Sequence, residues 1–135
     1  MFAHVLAPID LSQQSARCLD MVKALPAKRV TLLHVIQRVP GLPAAELRPF
    51  YARLRQRAEQ VVDRAAASLS EAGLRVSRVV TVGDPAREIV RVAGARRTDL
   101  VVLGSHRLGP RPGQGFGTTS YKVALVCPCP VLLVK

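Results

Sequence analysis

The apolar positions come in short runs separated by longer stretches in which they recur every three or four residues. Residues 2–9, FAHVLAPI, are apolar almost without a break and predict a short buried strand. Ser12 can cap a following helix, on which Ser15, Cys18, Leu19, Val22 and Leu25 share a face before Pro26 ends it. Residues 29–36, RVTLLHVI, predict a second, nearly all-apolar strand. From Val39 to Pro49 the chain carries Pro40, Gly41, Pro43 and Pro49 and reads as a loop. A long helix is then expected from about Pro49 to Ala72. Its buried stripe would be Phe50, Leu54, Ala58, Val61, Ala65, Leu69 and Ala72, with Arg53, Arg57 and Arg64 on the opposite face and Gly73 as the stop.

The second half repeats the alternation. Residues 74–82 alternate as a third strand, and Asp84-Pro85 is a helix start, a capping carboxylate followed by proline at the first helical position. Ala86, Ile89, Val90 and Ala93 would line the buried face of that helix. A fourth strand is expected over 99–103 (DLVVL), a Gly/Pro-rich loop from Gly104 to Gly117, a short helix from Thr118 to about Val126, and a last strand from Pro130 to Val134. Strands apolar on both faces, alternating with amphipathic helices, predict a parallel sheet sandwiched between two helical layers. The fold class is therefore α/β, a three-layer sandwich on a five-stranded sheet, as one domain over residues 1–135.

Composition narrows the function. With 49% hydrophobic residues the chain is neither disordered nor, with three cysteines, a disulfide scaffold. The longest uncharged apolar run, Val123 to Val134, is broken by Pro128 and Pro130 and is too short for a membrane span, which needs about 20 residues. No basic segment precedes the first apolar stretch and Asp10 interrupts it, so a soluble, cytoplasmic protein is expected. The net charge of +11 suggests nucleic acid as one partner. However, 16 of the 20 basic residues are Arg spread along the chain, and Phe2, Phe50, Tyr51, Phe116 and Tyr121 all lie outside basic runs. A nucleic-acid surface interleaves the two, so that partner is disfavoured.

An open parallel sheet binds ligands beyond the carboxyl ends of its strands, where the strand order reverses. In the order 3-2-1-4-5 that crevice lies between strands 1 and 4, which are followed by Ala7-Pro8-Ile9-Asp10 and Gly104-Ser105-His106. The loop from Gly104 adds Gly109, Gly113, Gly115 and Gly117, then Thr118-Thr119-Ser120 at a helix start, with no acid after Asp99. Glycines allow close backbone approach, and free N–H groups at a helix start favour phosphate. The familiar phosphate motifs do not fit. Gly104 and Gly109 have P-loop spacing but continue Pro110-Arg111, and the first strand–helix turn holds no glycine.

At this point the chain resembles the universal stress proteins. The resemblance rests on Pro8-Ile9-Asp10, Leu32-Leu33-His34-Val35, Gly83-Asp84-Pro85, Asp99 to His106, and Cys129 to Val134. It implies the same five-stranded sandwich and homodimers formed through the last strand. It also implies a nucleotide site whose marker is Gly, two residues, Gly, nine residues, Gly, then Ser or Thr. Gly104, Gly117 and Thr118 fit that spacing, whereas Arg107 stands in place of the second glycine. By the resemblance Asp10 would hold the ribose hydroxyls of ATP, and Ala7 with Val35 would flank the adenine, Pro8 belonging to the same turn. Gly104, Gly117, Thr118, Thr119 and Ser120 would hold the phosphates, with Mg²⁺ accompanying them. The Arg107 guanidinium either fills that space or pairs with a phosphate as a bidentate donor. A dimeric interaction protein with a degenerate site is the alternative.

The remaining chemistry-bearing residues read as structural. His4 and His34 sit on apolar strands as hydrogen-bonded core histidines, and His106 as a polar loop contact. Cys18, Cys127 and Cys129 read as reduced, small apolar residues. No nucleophile–base arrangement emerges, so any ATP hydrolysis would be slow.

Overall fold

The computed structural model describes residues 2–10, 14–41, 44–104 and 119–135, and all structural statements concern these. In chain order the elements are β1 (Phe2–Pro8), α1 (Gln14–Ala24), β2 (Ala27–Gln37), α2 (Ala44–Glu71), β3 (Arg75–Gly83), α3 (Pro85–Ala95), β4 (Leu100–Gly104), α4 (Thr119–Val126) and β5 (Val131–Val134). The strands form one sheet of order β3-β2-β1-β4-β5, and every pairing is parallel. The predicted fold class is the observed one.

Strand alternation sorts the core into two layers. Val5, Ala7, Val30 and Leu32 face α1 and α2, where they meet Cys18, Val22, Val62, Ala66 and Leu69. Leu6, Leu33 and Val101 face α3 and α4, against Ile89, Val92, Ala93 and Val123. Because β1 is covered on both sides, Val5, Leu6 and Ala7 are all fully buried, which is why it reads as an unbroken apolar run. Burying each leucine of this core is worth about 1.5–3 kcal/mol.

Strand boundaries move by a residue or two from those expected, but α2 differs by more. It begins at Ala44 and runs through Pro49, where a loop was expected. Pro49 cannot donate to the Ala45 carbonyl, an arrangement that costs about 3 kcal/mol in a helix interior. Burial of Leu47 supplies compensating tertiary support for this turn. The buried stripe is also rotated from the expected one. Ala58, Val62, Ala65, Ala66 and Leu69 are buried, while Phe50 is exposed and Val61 only half-buried. On α3 the buried set is Ala86, Ile89, Val92 and Ala93; Val90 is half-buried, on the side facing Lys122 and Val126 of α4.

The stop predicted at Gly73 and the cap predicted at Asp84 are in place. Gly73 takes φ +92°, and the Leu74 N–H returns to the Leu69 carbonyl at 3.2 Å, closing α2. Asp84 caps α3 by accepting the Arg87 N–H at 3.1 Å, with Pro85 first in the helix.

At the amino end of the sheet, Asp99 Oδ2 accepts the N–H groups of Ala3 at 2.6 Å and His4 at 3.1 Å. The Asp99 N–H in turn donates to the His4 carbonyl at 2.8 Å. These bonds tie the start of β1 to the start of β4. His4 is buried as expected, its Nδ1 donating to the Arg96 carbonyl at 3.0 Å and its Nε2 accepting from the Thr31 hydroxyl at 2.7 Å.

Candidate functional site

Where the order reverses between β1 and β4, the helices that follow depart to opposite faces and leave a cavity of about 240 Å³ at the carboxyl ends. Pro8, Ile9 and Asp10 reach it from β1, Leu33 to Val35 and Gln37 from β2, and Leu103 with Gly104 from β4. Ser15 and Cys18 of α1, Pro85 and Ile89 of α3, and Thr119 and Ser120 opening α4 complete the described walls.

Six of the ten sequence-derived candidates therefore come together here: Pro8, Asp10, Val35, Gly104, Thr119 and Ser120. Ala7 does not line the cavity. Its side chain points into the α1/α2 core, fully buried beside Val5 and Leu32. Ile9, two residues on, reaches the cavity from the end of the strand. Arg107, Gly117 and Thr118 lie outside the described residues, as do Ser12, Ser105 and His106.

Asp10 sits at the rim with an exposed side chain. The Ser15 hydroxyl accepts the Asp10 N–H at 3.0 Å, and its proton is shared between the Asp10 carbonyl at 2.9 Å and Oδ1 at 3.0 Å. This closed turn holds the carboxylate at the cavity mouth. Beneath it, burial and the nearby Asp10 charge push the Cys18 thiol up to about 11, so it stays protonated and is no nucleophile.

His34 departs from its expected place in the core. It is half-buried and lines the cavity, with Nδ1 donating to the Ile9 carbonyl at 2.8 Å. The physical reason is the stagger of the strands. β1 ends at Pro8, opposite Leu33, so the last residues of β2 extend past their central neighbour. With its proton fixed on Nδ1, the neutral ring keeps Nε2 as an acceptor, and no described residue occupies it. The signal in the sequence was position, since His34 lies in the last third of its strand and His4 at the beginning of its own.

The arrangement offers an apolar floor (Leu33, Val35, Ile89, Leu103), three hydroxyls, one carboxylate and one oriented imidazole. These groups suit a small ligand with a flat apolar part and a polar, hydroxyl-bearing part. Among the described residues no group of three or more His, Cys, Asp or Glu side chains is placed to hold a metal. Cys127 and Cys129 remain thiols with sulfurs 3.7 Å apart, away from the cavity, and burial together with Cys127 pushes Cys129 up to about 12. No helix among the described residues is long and apolar enough to cross a membrane.

Comparison with known proteins agrees with this geometry. A universal stress protein from Thermus aquaticus is 30% identical over 137 residues, covering both chains completely. The solved structure of MJ0577, a universal stress protein of Methanocaldococcus jannaschii, is 28% identical and superposes with a TM-score of 0.82 over 100% of this chain and 96% of its own. A universal stress protein solved in complex with cAMP shares the fold at a TM-score of 0.71, with 23% identity over 98% of this chain and 96% of that one. The family model for universal stress proteins matches residues 1–135, and with the fold in agreement the chain belongs to the universal stress protein family.

Proposed function

We propose that the strand-end cavity binds an adenine nucleotide, ATP, and that the chain acts as a dimeric regulatory module whose state depends on that occupancy. The observation that carries this reading is the convergence of Pro8, Asp10, Val35, Gly104, Thr119 and Ser120 on one cavity, drawn from four different elements and the turn after β1. The adenine lies on the apolar floor around Val35 and Pro8, and the ribose hydroxyls donate to the Asp10 carboxylate. The phosphates lie toward Gly104 and the start of α4 at Thr119 and Ser120, and the family marker assigns Gly117 and Thr118 to them as well. A helix start stabilises such an anion by roughly 0.3–1 kcal/mol. Ala7 is left with a packing role behind the site. Mg²⁺ rides on the phosphates without a protein cage. A universal stress protein of the same fold has been solved in complex with cAMP, which supports this reading.

Dimerisation through β5 belongs to the same proposal. Edge strand β5 presents Leu133, 41% exposed, and α4 presents Leu125 and Val126, 67% and 63% exposed. Covering such groups favours a second copy. The cytoplasm is the compartment in which this ligand and three free thiols are found together.

A second reading, a dimeric interaction protein with a degenerate site, is favoured by one residue, Arg107 in place of the second motif glycine. Denaturing the purified protein and assaying the supernatant for adenine nucleotide, followed by calorimetric titration with ATP, separates the two. Released nucleotide or saturable binding heat is expected. Silence in both, reversed by Arg107→Gly, would establish the degenerate site.

A further inference from the structure

Three of the exposed arginines share one groove. A groove of about 730 Å³ lies between the first turns of α2 and the carboxyl ends of β2 and β3, and Arg38, Arg48 and Arg55 line it. Two arginines elsewhere are neutralised locally, Arg78 by Asp63 and Arg91 by Glu88, each at 2.5 Å. In the groove no carboxylate is among the described lining residues, and neither Arg38 nor Arg48 is paired with a described acid.

Apart from Tyr51, the other lining residues are apolar: Val39, Leu47, Ala52 and Val82. The groove is also held in shape by the chain's own bonds. Arg38 N–H donates to the Gly83 carbonyl at 3.2 Å, and Val39 N–H donates to the Tyr51 hydroxyl oxygen at 2.8 Å. That hydroxyl keeps its own proton to give. Arg55 Nη1 is anchored on the Val80 carbonyl at 3.2 Å, which limits the rotamer freedom lost when its other donors bind.

From this juxtaposition we infer that the groove is a second ligand site, for a small organic anion with an apolar body and a carboxylate or phosphate head. A volume within about 300–1,000 Å³, apolar walls and a few convergent polar groups are the usual anatomy of a small-molecule site. Three arginines, none paired with a described acid, select the head by sign, and a guanidinium can hold a carboxylate or phosphate by two donors at once. The site shares no lining residue with the strand-end cavity, so it is independent of the nucleotide proposal.

The test uses dodecanoate as probe, titrated calorimetrically below its micelle concentration, with dodecyltrimethylammonium and acetate as controls. Dodecanoate should bind the purified full-length protein saturably, and both controls at least about tenfold more weakly. Two variants should each weaken dodecanoate by at least about tenfold: the triple change Arg38→Gln, Arg48→Gln, Arg55→Gln, and Ala52→Glu, which sets a carboxylate in the groove from an exposed helix position. Far-ultraviolet circular dichroism reports whether each variant is folded. Asp10→Ala should leave dodecanoate binding unchanged. Equal binding of the cationic amphiphile or of acetate, or undiminished affinity in both folded groove variants, would overturn the assignment.

Discussion

The two ends of the sheet are built from similar residues and do opposite things with them. At the amino end, Asp99, His4 and Thr31 spend their polar groups on one another and on the backbone, at 2.6 to 3.1 Å. At the carboxyl end, Asp10, His34 and Ser120 line the strand-end cavity, where Asp10 is held by Ser15 and His34 by the Ile9 carbonyl. Each end has an aspartate and a histidine. What differs is whether the neighbouring strand continues past them. At the amino end β1 and β2 start together, Phe2 opposite Ala27, and close over their polar groups. At the carboxyl end the helices diverge and leave the cavity that these residues line. Saturated polar groups contribute stability, whereas oriented groups facing a cavity contribute recognition.

Substitutions should separate the two roles. The largest effect is expected from Asp99→Ala, which strips two backbone N–H groups of their acceptor. It should lower unfolding stability by about 3 kcal/mol in urea titration while leaving ATP affinity of the folded fraction unchanged. Asp99→Asn, which retains an accepting oxygen, should recover most of the loss.

A next effect, smaller and visible in alkali, comes from the wall of the cavity. Folding raises the Cys18 thiol from 9.0 to about 11. The folded state thus holds its proton after the unfolded chain has lost it. Stability from this group is fully present below pH 9 and is lost as pH rises through about 11, by roughly 2 kcal/mol. Comparing the pH dependence of unfolding in wild type and Cys18→Ala isolates that slope; an unchanged decline would assign it elsewhere, with Cys129 the next thiol in the same range.

The carboxyl-end residues should behave in the reverse sense to Asp99. Asp10→Ala should weaken ATP by about tenfold, and His34→Ala by about threefold, each with less than about 1 kcal/mol of lost stability. Calorimetry and urea unfolding on the same preparations check both. A large stability loss in His34→Ala with unaltered affinity would return that histidine to the core.

Much of the fold could be read along the chain. Unbroken apolar runs at β1 and β4 predicted strands covered on both faces, and Gly73 and Asp84-Pro85 marked helix ends where the structure has them. The start of α2 was not legible. Pro43 and Pro49 carry strong local loop signals, and burial of Leu47 by residues distant in sequence outweighs them. The candidate site was legible as two strand ends and a helix start, because the order of a parallel sheet places those segments together. Ala7 and His34 were misplaced for a single reason. Which face a strand residue takes, and whether it lies beneath its neighbour or beyond it, depends on register.

The sequence alone determined the alternation of strands and helices, the family, and the segments that meet at the strand ends, since these follow from local periodicity and contiguous motifs. Tertiary structure decided what no local pattern contains: that β1 stops short of His34, that Ala7 lies behind the cavity, and that Arg38, Arg48 and Arg55 line one groove. Those facts depend on the stagger and packing of elements far apart in the chain. The unfolded chain carries the same residues and charges, but only the packed sheet and helices bring them within reach of one ligand.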